Sequence, residues 1–105
     1  MEEQMVKHVI VWTLKDEYSD TEKADIKAGI KSGLEGLKGR IPGLVDVAVF
    51  TDGLESSNSD LMLESFFESD EALKNYSVHP AHVEVATTKV RPFVKTRSCF
   101  DFVIP

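Results

Sequence analysis

The stretch NYSVHPAHVE, residues 75–84, holds Tyr76, His79 and His82 around Pro80. A neutral imidazole is a general base near pH 7, and a phenol can donate to a developing enolate. Together they suit abstraction of a proton from carbon next to a carbonyl, with His82 as base and Tyr76 as donor. Pro80 disfavours the α conformation at His79 and is comfortable in a helix's first turn. One helix therefore ends near residues 77–78 and a second begins at Pro80, with His79 as its cap. His82 falls in the first turn, where the positive end of the helix dipole favours the neutral ring. Asp101 lies between Phe100 and Phe102 and so points away from both. A carboxylate beside an apolar interior needs a partner. His82 is the expected one, the two forming an orienting pair, and His8 would also serve. Each group has a structural reading as well. His82 can hold its helix to a strand, Tyr76 can bond at a helix corner, and His8, on a face with Ile10 and Trp12, can be a satisfied core histidine.

These groups need a scaffold, and the patterning supplies one. Residues 5–14 are apolar on both faces, with Val6, His8, Ile10, Trp12 and Leu14 on one side and Val9 and Val11 on the other. That pattern predicts a strand covered on both sides. Ser19 and Glu22 form a capping-box signature, and Ile26, Ile30, Leu34, Leu37 and Ile41 follow at helical spacing. The predicted helix runs about five turns and ends at Gly39 and Pro42-Gly43. Residues 44–50 and 61–67 read as strands around a polar loop. Ser69 caps a short helix, the helix from Pro80 runs to about Val90 and stops before Pro92, and residues 96–104 form the last strand.

The order is β-α-β-β-α-β, the α+β, ferredoxin-like pattern, with helices on one face of a four-stranded antiparallel sheet. The other face would be left in water. A second copy packed sheet to sheet would cover it and close a barrel-like homodimer. Trp12 is expected at or near that inter-sheet space.

The chain has 105 residues, of which 42% are hydrophobic and 29% charged, which fits one domain over residues 1–105. Its net charge is −6 and its basic residues are scattered, so nucleic acid is not an expected partner. The acidic start MEEQ precedes only a short apolar run, which predicts neither a signal peptide nor a membrane span. A single Cys99 rules out an internal disulfide and fits a cytoplasmic location. No metal-ligand spacing is present, and no metal or cofactor is expected.

The segments MVKHVIVWTLKDE, IPGLVDV, FFESDEALKNYSVHPAHVE and the terminal FDF resemble the stress-responsive A/B barrel (Dabb) family over nearly the whole chain. That resemblance implies ferredoxin-like subunits that dimerise into an α+β barrel. One plant branch of the family consists of polyketide cyclases that close poly-β-keto thioesters by aldol condensation, using a Tyr and a His. By the motif these correspond to Tyr76 and His82, with Asp101 as the terminal Asp and His8 and His79 as further pocket histidines. Pocket-wall positions that can be aromatic in the family read Ile26 and Ile30 here, and Ile10, Trp12 and Leu63 complete the expected ligand-binding set. Three functions follow: a homodimer whose small apolar pocket binds a small, carbonyl-containing molecule; a cofactor-free cyclase or isomerase; or a non-catalytic dimerisation or stress-protective module. An enzyme needs Tyr76 and His82 facing one cavity, a binder only the cavity, and a module neither.

Overall fold

The computed structural model describes residues 4–105, and the acidic start at 1–3 lies outside the described residues. Strands β1 (Val6–Leu14), β2 (Leu44–Phe50), β3 (Leu61–Phe67) and β4 (Val94–Val103) form one sheet in the order β2-β3-β1-β4. All three pairings are antiparallel. Helix α1 (Asp20–Glu35) connects β1 to β2, and α2 (Asp70–Val78) with α3 (Pro80–Val85) connects β3 to β4. This is the expected β-α-β-β-α-β arrangement. No helix of the described residues is long and apolar enough to cross a membrane.

The helix starts follow their sequence signals. Ser19 and Glu22 exchange both capping-box bonds, and the Ser69 hydroxyl accepts from the Ala72 N–H. Two helix ends differ from expectation. Helix α1 stops at Glu35, with Gly36 as its cap, instead of running on towards Gly39. Glycine is a poor helix former, and Gly33, Gly36 and Gly39 crowd this stretch. The chain continues in tighter turns, with Leu37 N–H bonding Leu34 O and Arg40 N–H bonding Leu37 O, which keep Leu37 and Ile41 in the core. Helix α3 likewise ends at Val85. A π turn (Ala86–Val90) and a 3₁₀ turn (Arg91–Phe93) carry the chain through Pro92 into β4.

Strand parity sets both sides of the sheet. Val6, His8, Ile10, Trp12 and Leu14 are buried, and the residues between them are half-buried. The buried set packs with Ile30, Leu34, Leu63, Phe67 and Tyr76 into the core under the helices. Trp12 therefore lies on the helix side, 4% exposed, and not at the open face where it was expected. It does share parity with His8 and Ile10, but that whole set turns towards the helices. Val9, Val11, Phe66, Phe100 and Phe102 occupy the other face by register. Phe100 there is 69% exposed.

The turn into β2 gives a direct test of the fold. Gly43 has φ +83°, and a Cβ there would stand 2.6 Å from the Ala72 Cβ on α2. Gly43→Ala should destabilise the chain by about 1–3 kcal/mol, through left-handed strain and the clash. Gly29→Ala in α1, where a Cβ meets nothing within 4 Å, should stabilise by about 0.5–1 kcal/mol. Thermal melts of both variants check the pair; equal shifts would contradict this turn geometry.

Candidate functional site

The α2–α3 corner and the helix face of the sheet enclose a cavity of about 440 Å³. Its walls are mostly apolar and include Ile10, Trp12, Leu63 and Leu73. Its polar members are His8, Tyr76, Ser77, His82, Arg91 and Arg97.

Tyr76 ends up there because the three residues after Ser69 start α2 and its last turn faces the sheet. Leu73 and Tyr76, three residues apart, are the buried positions of this helix. Tyr76 packs edge-on against Phe67, with ring centroids 4.9 Å apart, and lies beside His8 at 6.4 Å. Its hydroxyl is buried with no hydrogen-bond partner among the described residues. Burial pushes the phenol above the ordinary tyrosine range, so it is a donor at neutral pH. A buried unpaired hydroxyl costs about 1–3 kcal/mol, which an acceptor placed in the cavity would recover.

His82 lies over Tyr76 across the proline break, with ring centroids 4.2 Å apart. Its Nδ1 is 3.3 Å from the Ser77 carbonyl oxygen. A carbonyl can only accept, so Nδ1 carries the proton and Nε2 keeps the lone pair. Burial lowers the His82 pKa below the ordinary value of 6.5, and the positive charges of Arg91 and Arg97 lower it further; the Ser77 bond opposes them. The dipole argument gave the same direction, but here burial is the larger cause. The result is a neutral imidazole with a free acceptor nitrogen beside a phenol donor.

The expected His82–Asp101 pair is not what the structure shows. Asp101 Oδ1 bonds His8 Nδ1 instead. His8 and Asp101 are register partners on β1 and β4, so their side chains leave the sheet on the same face. His82 is oriented by a backbone carbonyl in the role foreseen for the carboxylate. His8 still lines the cavity, and Asp101 acts on the cavity only through it.

Three further expected pocket residues sit elsewhere. His79 is the N-cap of α3, where its Nδ1 accepts from the Ala81 N–H at 3.1 Å. Ile30 is fully buried core and Ile26 packs against that core; neither lines the cavity. Helix α1 spends its apolar stripe on the sheet, and only Leu34 reaches the cavity. Sequence reasoning missed Ser77, Arg91 and Arg97. Arg97 shares strand parity with Asp101, a signal that was there to use; Ser77 acts through its backbone and gave none.

His8, Cys99 and Asp101 place three metal-ligating atoms within 4.8 Å of one another, among the described residues. As they stand they form a hydrogen-bonded cluster, with Cys99 Sγ 3.4 Å from Asp101 Oδ1. Burial, then Asp101, raises the Cys99 pKa, so the thiol keeps its proton.

Residues 6–104 match the family model of the Stress responsive A/B Barrel Domain. Solved structures share the fold. A dimeric protein of unknown function with a ferredoxin-like fold from Bacteroides fragilis is 24% identical, with a TM-score of 0.89 over 99% of this chain and 100% of its own. A hydroxynitrile lyase from Passiflora edulis is 19% identical, with a TM-score of 0.77 over 97% of this chain and 94% of its own. SnoaB, a cofactor-independent oxygenase from Streptomyces nogalater, is 16% identical, with a TM-score of 0.68 over 97% and 94%. No curated protein matches the sequence.

The depressed His82 pKa has a definite sign in stability. The unfolded chain takes the proton more readily than the folded one, so this contribution is present above pH 6.5 and is lost as pH falls through the folded pKa. NMR titration of the His82 ring should give a midpoint below 6.5, with the Nδ1-protonated tautomer on the basic side. A midpoint above 6.5 would remove the neutral base from this site.

Proposed function

The chain belongs to the stress responsive A/B barrel domain family, and on that basis we propose that its pocket binds a small apolar molecule carrying a carbonyl group. The unpartnered Tyr76 hydroxyl carries this reading. Tyr76 lines an apolar cavity of a size that suits a small ligand, and its hydroxyl lacks an acceptor. A carbonyl oxygen provides that acceptor without bringing a second donor.

A second reading is favoured by one observation, the His82 tautomer. With Nδ1 committed to Ser77, Nε2 can take a proton from the carbon next to the bound carbonyl while Tyr76 donates to the enolate oxygen. Base and donor are both side chains, so the step is complete without a cofactor. The fold also serves SnoaB, a cofactor-independent oxygenase, and a hydroxynitrile lyase.

The open sheet face supports a homodimer of a single-domain chain. Val9, Val11, Phe66 and the adjacent rings of Phe100 and Phe102, 5.6 Å apart, lie together by register. The Lys7–Glu64 ion pair lies on the same face, and exposed apolar surface with a polar element of this kind marks an interaction site. The relative from Bacteroides fragilis is dimeric. The free Cys99 thiol fits a reducing, cytoplasmic setting.

Two measurements test this. With 2-octanone as the probe, amide shifts should move around Tyr76 and His82, and its α-protons should exchange with D₂O faster than in buffer. Under the catalytic reading His82→Gln should cut that exchange about 100-fold, and Tyr76→Phe should slow it with binding weakened. Binding without accelerated exchange would leave a binder; no shift at all would sink the pocket reading. Separately, sedimentation should show a dimer at micromolar concentration that Phe100→Asp converts to monomer. Trp12 emission should stay unshifted on dissociation, because its ring faces the helices.

A further inference from the structure

Two guanidinium groups stand at the same cavity. Arg91 and Arg97 both line it, and no Asp or Glu does. Among the described residues, neither arginine lies within salt-bridge distance of a carboxylate. Asp101, on the same face of β4 as Arg97, is bonded to His8. Cys99 stands between them on that face, its thiol 3.4 Å from Asp101 Oδ1 and within side-chain reach of Arg97.

Each arginine is held in place by backbone geometry. Arg97 pairs with Trp12 across β1 and β4, so its side chain leaves the sheet on the cavity side. Arg91 follows the π turn, where its N–H reaches back five residues to the Ala86 carbonyl. That wider turn buries Ala86 and Val90 against the cavity and brings Arg91 to its rim. Both charges lower the His82 pKa, and His82 lines the same cavity. Both residues are exposed, as the mouth of a cavity requires.

We propose that the pocket selects an amphipathic carboxylate: an apolar body among Ile10, Trp12 and Leu63, with its anionic end at Arg91 and Arg97. This deepens the pocket reading and rests on it. A planar guanidinium binds a carboxylate through two parallel N–H donors, so two of them at an apolar mouth discriminate an acid from its neutral analogues. An apolar keto acid would use both ends, with its ketone oxygen at Tyr76.

A matched pair of probes separates the two ideas: 4-phenylbutanoate and its methyl ester, titrated by calorimetry at low salt into wild type, Arg91→Gln, Arg97→Gln and the double variant. The acid should bind wild type at least about tenfold more tightly than the ester. Each single variant should lose part of that preference and the double variant all of it, with ester affinity unchanged. Added salt should weaken the acid more than the ester. Since both arginines are exposed, melting curves should stay close to wild type. Equal binding of acid and ester to wild type would overturn the anionic end while keeping the apolar pocket. Loss of ester binding together with acid binding in the double variant would also overturn it, because the arginines would then be shaping the cavity. Binding of neither probe would overturn both.

Discussion

His8 and Asp101 meet because β1 and β4 pair in antiparallel register, and that register decides which side of the sheet each neighbour leaves. In a strand the side chains alternate strictly, so a slip of one residue would send His8, Ile10 and Trp12 to the open face together. The observed register is fixed from both sides. Towards β3, Ile10 opposes Leu63 and Val6 opposes Phe67; towards β4, His8 opposes Asp101. The first two pairs are buried apolar contacts that strongly penalise a slip. The third adds a charge-assisted bond that joins the central strand to the edge strand at the cavity. With β1 so placed, the α2–α3 corner has one surface to pack on, and Tyr76 reaches Phe67 and His8 there.

What the sequence revealed divides along that line. Element order, the Ser19 and Ser69 caps, the break at Pro80 and the cap at His79 were all legible, because each depends on residues a few positions apart. The fold class followed from the two faces of residues 5–14. Which face turned to the helices did not follow, since both were apolar enough for either role, and Trp12 was assigned to the wrong side. The partner of Asp101 failed for a related reason. His8 and His82 were both chemically suitable, and choosing between them required the β1–β4 register, a relation across 93 residues. The π turn was illegible as well. The β-branched Thr87, Thr88 and Val90 weaken an α-helix but do not specify a π turn, yet that turn brings Arg91 to the cavity. Ile26 and Ile30 were placed at the pocket through the family pattern, although their own helical stripe pointed to the core.

The separation of His82 from Asp101 changes the chemistry the site can offer. A carboxylate on Nδ1 would stabilise the imidazolium and raise the basicity of the ring. A backbone carbonyl fixes the same tautomer with a weaker pull. The His82 ring is thus oriented and held neutral chiefly by burial. The carboxylate goes instead to His8, on the strand side of the cavity. Two imidazoles of different character therefore face one space, one backed by a carboxylate and the other by a carbonyl.

The positive charges near His82 would tie binding of the proposed ligand to that basicity. Arg91 and Arg97 both lower its pKa, because bringing a proton near existing positive charge is unfavourable. An anion seated between the guanidinium groups offsets their field at the ring, and the cost of protonating Nε2 falls. On the proposed reading, an acidic ligand would strengthen the His82 imidazole as a base and a neutral one would leave it weak. Discrimination and proton affinity would thus come from the same two arginines, one set where the π turn ends and the other opposite Trp12 on β4.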